Sequence, residues 1–188
     1  MFDFSYFPKL ETERLILRQL ADTDAPAILE EFNHPKVVEH LDPDPPIVDL
    51  DSASAFISWT MEWFVAQHGW RWAVVLKSSQ TVIGTAGFHR WSKSDRRCEI
   101  GYDYNYKYWG QGYATEVVRR MVQFGFEEMN LHRLEADCNE DNFGSARVLE
   151  KAGFTYEGLW RDRIWEKGKF VGLKQFSILE SEYRNTKA

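Results

Sequence analysis

Trp109-Gly110-Gln111-Gly112-Tyr113-Ala114-Thr115-Glu116 decides the reading of this chain. It joins a strand-like run, Cys98 to Asn105, to a strongly helical one, Ala114 to Met129. Two glycines let the backbone turn tightly and come close to a ligand, because no Cβ intervenes. The helix that follows offers unpaired N–H groups and a partial positive charge at its start. Together these predict an anion site, and a phosphate or pyrophosphate is its natural occupant. The dipole contributes about 0.3–1 kcal/mol, so several N–H hydrogen bonds must supply most of the grip.

Three kinds of phosphate site use a glycine turn before a helix. A P-loop needs G-x-x-x-x-G-K-[ST], and no Gly-Lys-[Ser/Thr] occurs here. A dinucleotide fingerprint needs G-x-G-x-x-G early in a βαβ unit, whereas Thr115 stands in the third glycine position and the motif lies past mid-chain. The third is a coenzyme A loop. The stretch resembles the [RQ]-x-x-G-x-[GA] motif of the GNAT acyltransferase superfamily, with Trp109 in place of the first Arg or Gln. Trp at that place, followed by Gly-Gln-Gly-Tyr-Ala-Thr-Glu, resembles the RimJ/RimL branch, the N-terminal acetyltransferases of ribosomal proteins and their relatives.

Four other segments carry the same resemblance, in family order. They are Leu10 to Arg18 (T-x-R-L-x-L-R), Ile83-Gly84-Thr85-Ala86-Gly87, Glu99-Ile100-Gly101-Tyr102, and Asn142 to Phe154 (N-x-x-S-x-R-x-L-E-K-x-G-F). The likeness runs from about Leu10 to about Tyr183. It implies one α/β (α+β) GNAT domain spanning 1–188, with a mixed, mostly antiparallel sheet and helices on both faces. It also implies that the fourth and fifth strands splay apart, so that the pantetheine arm of acetyl-CoA lies in the gap.

Bulk properties agree with one globular domain. Apolar residues make up 44% and aromatic residues 15% of 188, which excludes a disordered chain. No apolar run approaches a membrane span, and Met1 to Lys9 lacks the pattern of a secretory signal. Cys98 and Cys138 make no disulfide framework and read as buried strand thiols. A cytoplasmic location is expected. The net charge of −6, with no basic cluster, argues against nucleic-acid binding and suits a cationic acceptor such as an amine. The five histidines show no ligand spacing with Cys or carboxylates, so no metal is expected. Homodimers are common in the family, but no residue pattern marks an interface.

Periodicity orders the elements. Arg14–Arg18 alternates as a strand, and Asp22-Thr23-Asp24 caps a helix through Phe32 that Pro35 interrupts. Residues 39–51, rich in Asp and Pro, read as a loop before a helix over Ser52–Gln67. Trp70–Lys77 and Thr81–Trp91 form a hairpin, and Arg97–Asn105 follows as a strand. After the long helix come a strand (Leu131–Cys138), a short helix (Asn142–Ala152) and a hairpin (Thr155–Glu166, Lys169–Leu179) turning at Gly168.

Acetyl transfer to an amine needs a proton removed and a thioester oxygen stabilised. Deprotonating an α-amine at neutral pH costs roughly 1 kcal/mol, and a lysine-like amine roughly 4.6 kcal/mol. By resemblance Glu99 is the base, and that role predicts a partly desolvated carboxylate with a raised pKa. Alternatively, Glu99 pairs with Arg96 or Arg97. By resemblance Asn142 binds the pantetheine, and Ser145 protonates the departing thiolate. Both residue types are also favoured simply as helix caps. The Tyr acid of many family members is replaced by Leu149, which moves the role to Ser145, to Tyr156 or to no residue. Oxyanion donors are expected from the backbone of Ile100, Gly101 and Tyr102. Pyrophosphate donors are expected from Gln111, Gly112, Tyr113, Ala114 and Thr115, with Lys107 as a further contact. Glu39, Asp42, Asp44, Asp49 and Asp51 are positioned to attract a cationic acceptor or to form a solvated loop. Trp59, Trp63, Trp70 and Trp72 are candidates for a pocket wall or for the core.

The leading function is acetylation of a protein N-terminal α-amine. The alternatives are a small amine, such as a polyamine or aminoglycoside-like acceptor, and a non-catalytic coenzyme A sensor or scaffold.

Overall fold

Alternating and helical patterns resolve into fourteen regular elements in the computed structural model, which describes residues 2–41 and 45–185. In chain order they are β1 (Leu10–Glu11), β2 (Leu15–Gln19), α1 (Ala25–Phe32), α2 (Pro35–Val38), α3 (Leu50–Val65), β3 (Trp70–Leu76), β4 (Val82–Ser92) and β5 (Arg97–Tyr104). Then come α4 (Tyr113–Glu127), β6 (Arg133–Asn139), α5 (Phe143–Lys151), β7 (Thr155–Glu166), β8 (Lys169–Leu179) and α6 (Glu180–Asn185).

The strands form one sheet in the order β1-β2-β3-β4-β5-β6-β8-β7. Every pairing is antiparallel except β5 with β6. That parallel pair exists because the long crossover helix α4 returns the chain in the same direction. It is also short. Only Arg97↔Arg133, Cys98↔Leu134 and Glu99↔Glu135 are in register. Beyond them β5 pairs with β4 alone and β6 with β8 alone. The expected splay between the fourth and fifth long strands is therefore present.

Both faces of the sheet are covered. Val117, Val118, Met121, Val122, Phe124 and Phe126 of α4 pack with Leu149 of α5 against Trp72, Phe88, Ile100 and Leu134. On the other face α1 and α3 bury Ile28, Phe32, Ala53 and Ile57 over Ala73 and Val75. Trp72 is fully buried, and its indole N–H donates to Pro8 O at 2.7 Å, which fastens the N-terminal segment across the core. Cys98 and Cys138 are free, buried thiols.

Three sequence expectations differ from the structure. Pro35 does not merely interrupt a helix: it opens α2 at the first helical position, where its missing N–H has no cost. The helix expected from Ser52 starts at Leu50. Asp49 caps it, and Asp49 and Ser52 exchange hydrogen bonds in a capping box. β1 and α6 carried too few periodic residues to be read.

Candidate active site

The glycine turn before α4 lies where the sequence placed it. Gly112 caps α4 with φ +82, the left-handed region that favours glycine, and Gly110 has φ +73. The first N–H of α4 to find a helical acceptor is that of Glu116, bonded to Gly112 O at 3.1 Å. Among the described residues no side chain caps the amides of Tyr113, Ala114 and Thr115. These three N–H groups are left to bind an anion, so the residues present fit a pyrophosphate.

The turn is braced from a distance. Glu116 accepts from Thr12 Oγ1 (2.5 Å), Arg14 N (3.0 Å) and Arg14 Nε (2.7 Å). Arg14 Nη1 donates to Gln111 O at 3.1 Å, and its guanidinium covers the Tyr113 ring at 4.3 Å. Gln111 thus serves the brace through its carbonyl, while its side-chain amide donates to Lys107 O. Burial pushes the Glu116 carboxyl up, but bonds from Thr12 and Arg14 outweigh it and the net shift is downward. Its contribution to stability is full above the unfolded value near 4.5 and is lost as pH falls through the lower folded value. Replacing Glu116 by Ala leaves the Arg14 amide without its acceptor. We expect a loss of roughly 1–3 kcal/mol in unfolding experiments at pH 7, with a smaller difference from wild type at pH 3.

A cavity of about 430 Å³ runs from this turn into the β5–β6 gap. Gly112, Tyr113, Ala114 and Thr115 line one end, Asn142, Gly144 and Ser145 one side, and Tyr102, Asp103 and Tyr104 the exposed edge of β5. Val37, His40 and Leu41 reach it from the opposite face of the sheet, so the cavity connects both faces. Asn142 caps α5, its Oδ1 accepting from Ser145 N at 2.9 Å. Tyr102 OH lies 2.9 Å from Ser145 Oγ, and burial pushes its phenol well up. No sequence spacing connects this β5 tyrosine to Ser145; strand and helix packing brings them together. Leu149 is fully buried in the core, and Tyr156 is half exposed against Phe176.

On the sheet face opposite α4 stand Glu99, Gly101 and Asp103, as alternation requires. Burial pushes Glu99 up, but the His89 hydrogen bond and the charges of His89 and Arg90 outweigh it. The net direction is down. The raised pKa expected of Glu99 is therefore corrected, because His89 and Arg90 on β4 reach its carboxylate at 2.8 and 2.9 Å. The expected partners are corrected too: Arg96 binds Asn130 and Glu180, and Arg97 binds Glu135 and Asp95. Across the gap on β6, burial and then the Glu99 charge raise Asp137.

Other candidates find structural partners. Lys107 pairs with Glu30. Asp49 caps α3, the Glu39 carbonyl accepts from Lys167, and Asp51 is exposed in the first turn of α3. Asp42 and Asp44 lie outside the described residues. Trp72 belongs to the core. Trp59, Trp63 and Trp70 line a second cavity of about 210 Å³ with Thr60, Arg71, Phe88 and His89.

This geometry can be set beside known proteins. Residues 14–155 match the acetyltransferase (GNAT) domain family. The chain belongs to that family. The uncharacterized N-acetyltransferase YoaA of Bacillus subtilis is 34% identical over 174 residues, 93% of this chain and 98% of YoaA. A GNAT-family acetyltransferase structure from Bacillus anthracis superposes with a TM-score of 0.82 at 27% identity, covering 93% of this chain and 99% of that one. RimL, the ribosomal L7/L12 α-N-protein acetyltransferase solved with coenzyme A, shares the fold at a TM-score of 0.83. It is 16% identical, covering 92% of this chain and 98% of RimL. The protein is an acetyl-CoA-dependent N-acetyltransferase with the GNAT fold. Among the described residues no His, Cys, Asp and Glu group could hold a metal, and no helix is long and apolar enough to cross a membrane.

Proposed function

We propose that this acetyltransferase acts on a protein N-terminal α-amine, which attacks the thioester directly at the mouth of the β5–β6 gap. The observation that carries this reading is the gap itself. It opens immediately beyond Glu99 and leads through a continuous cavity to the free amides of Tyr113 to Thr115. On this reading those amides and Gly112 hold the pyrophosphate, with the Gln111 carbonyl fixed by Arg14. Asn142 and the freed edge of β5 at Ile100, Gly101 and Tyr102 flank the pantetheine and the thioester oxygen. Ser145, backed by the Tyr102 hydroxyl, supplies a proton to the departing thiolate.

The electrostatics favour an α-amine over a lysine-like one. Glu99 is held below the ordinary carboxylate range, so the site has no strongly basic carboxylate there. A weak base suffices where deprotonation costs roughly 1 kcal/mol and fails where it costs roughly 4.6 kcal/mol. The acidic Glu99 and half-buried Asp137 stabilise the approaching ammonium.

The test is thiol release from acetyl-CoA with peptides of different N-terminal residues, spermidine and an aminoglycoside. Peptide α-amines are expected to turn over fastest. Preference for spermidine or the aminoglycoside would move the protein to small-amine acetylation. Coenzyme A binding with no release from any amine would make it a sensor or scaffold.

A further inference from the structure

His89 lies on β4 beside the point where β5 and β6 part. The sheet register sets it opposite Glu99, and its Nε2 lies 2.8 Å from Glu99 Oε1. Glu99 is the last β5 residue paired with β6, and Gly101 is the next residue on the same face. The imidazole lies over Gly101. A Cβ at that glycine would come 2.9 Å from His89 Cε1 and 3.6 Å from Nδ1. The ring keeps 22% of its surface exposed, and it forms part of the wall of the second cavity, beside Trp59 and Trp63.

The hydrogen bond determines which ring nitrogen can act. Glu99 is held ionised, so it can only accept. The nitrogen it binds must carry the hydrogen: Nε2–H donates, and in the neutral ring the lone pair is then on Nδ1. No hydrogen bond to Nδ1 forms among the described residues. A base oriented by a carboxylate behind it is the arrangement of activated proton acceptors in many enzymes. The charged groups around the ring are Arg71 on β3, Arg90 on β4, Glu99 on β5 and Asp137 on β6.

We propose that His89 Nδ1 takes the proton from the acceptor's amino group and that Glu99 is a positioning residue acting through His89. This rests on the amine-acetylation reading above and assigns its base. The ammonium gives one proton to Nδ1, and the freed lone pair forms the C–N bond to the acetyl carbon. The C–S bond breaks, the sulfur takes the electron pair, and the second nitrogen proton passes to the thiolate by way of Ser145. His89 then returns its proton to water, leaving an amide, free coenzyme A thiol and one proton released. Gly101 has a reason within this scheme: any side chain there collides with the ring.

The experiment combines three variants with the wild type, all assayed with the best amine of the panel. His89→Gln keeps a donor to Glu99 but cannot take a proton. It is expected to lower kcat by roughly 10²–10⁴-fold, with coenzyme A affinity and melting temperature close to wild type. Glu99→Gln is expected to lower kcat in the wild-type background and to cost little more when His89 is already Gln. His89→Ala is expected to regain rate when imidazole is added. A His89→Gln enzyme of normal kcat overturns the proposal. So does a Glu99→Gln loss that is equally large in both backgrounds, because Glu99 would then act on its own. Should His89→Gln weaken coenzyme A binding or folding, the imidazole titration decides: rescue supports the proposal and its absence overturns it. A wild type that releases no thiol with any amine defeats the acetylation reading first, and this inference with it.

Discussion

Gly112→Val is expected to weaken coenzyme A binding by at least roughly 100-fold while leaving a folded protein. A β-branched residue at φ +82 is a genuine steric outlier, so the turn must reopen to accept it. Reopening turns the Tyr113 to Thr115 amides away from the pyrophosphate. Hydrogen bonds to a charged group contribute about 1.5–3 kcal/mol each, and losing one or two corresponds to about 10²-fold or more in affinity. Gly110→Ala is the control. Nothing lies within 4 Å of a Cβ there, so only the backbone cost of φ +73 remains, about 1–2 kcal/mol in stability with little change in affinity. Calorimetric titration with coenzyme A measures both. Equal affinity in Gly112→Val and wild type would remove the amide cradle from the binding mechanism, and the reading of residues 109–116 with it.

Glu31→Gln is expected to stabilise the protein at alkaline pH and to leave it nearly unchanged at pH 5. Glu31 sits on α1, 1% exposed, with Oε1 lacking a hydrogen-bond partner among the described residues. Burial pushes its pKa up to about 8, although the Arg71 charge opposes the shift. Arg71 is engaged elsewhere: it pairs with Asp103, and its Nε donates to Thr85 at 2.6 Å. The sign follows from linkage. The unfolded carboxyl loses its proton near 4.5, whereas the folded one keeps it until about 8. Folding therefore takes up a proton between those values, and stability falls as pH rises through the window, by up to about 5 kcal/mol. Gln carries no such proton, so its stability curve is flat where the wild type declines. At about 2–4 °C per kcal/mol for a chain of this size, thermal melts at pH 8.5 should separate by several degrees. Parallel melting curves for the two proteins from pH 5 to pH 9 would show that Glu31 already has a compensating partner. Arg71 and Asp103 lie on the sheet face opposite α4, and Asp103 lines the larger cavity, so this instability is stored close to that cavity.

Gly112 and Glu31 differed sharply in how legible they were in the chain. Gly112 announced itself: only glycine tolerates the left-handed turn before a helix, and the amides that follow are a property of any helix start. The hydrophobic period of α4, the alternation of β5 and β6, and the Asn142 to Phe154 segment were equally open to reading, because local geometry repeats along the chain. Glu31 gave no signal, since an acidic residue on an amphipathic helix ordinarily points to solvent. His89 gave none either, because its partner lies ten residues away on a neighbouring strand.

Sequence alone determined the order of the elements, the glycine turn and the family, and the resemblance to that family implied the splayed strand pair. Each of these follows from periodicity, from glycine's conformational range, or from motifs contiguous in the chain. Only the tertiary structure decided what those residues are chemically. Glu99 was expected to be a desolvated, basic carboxylate and is instead held low by His89 and Arg90. Ser145 meets the hydroxyl of Tyr102, a residue of a strand 43 positions away in the chain. Ionisation depends on burial and on charges within a few ångströms, and strand register sets both by joining segments far apart in the chain.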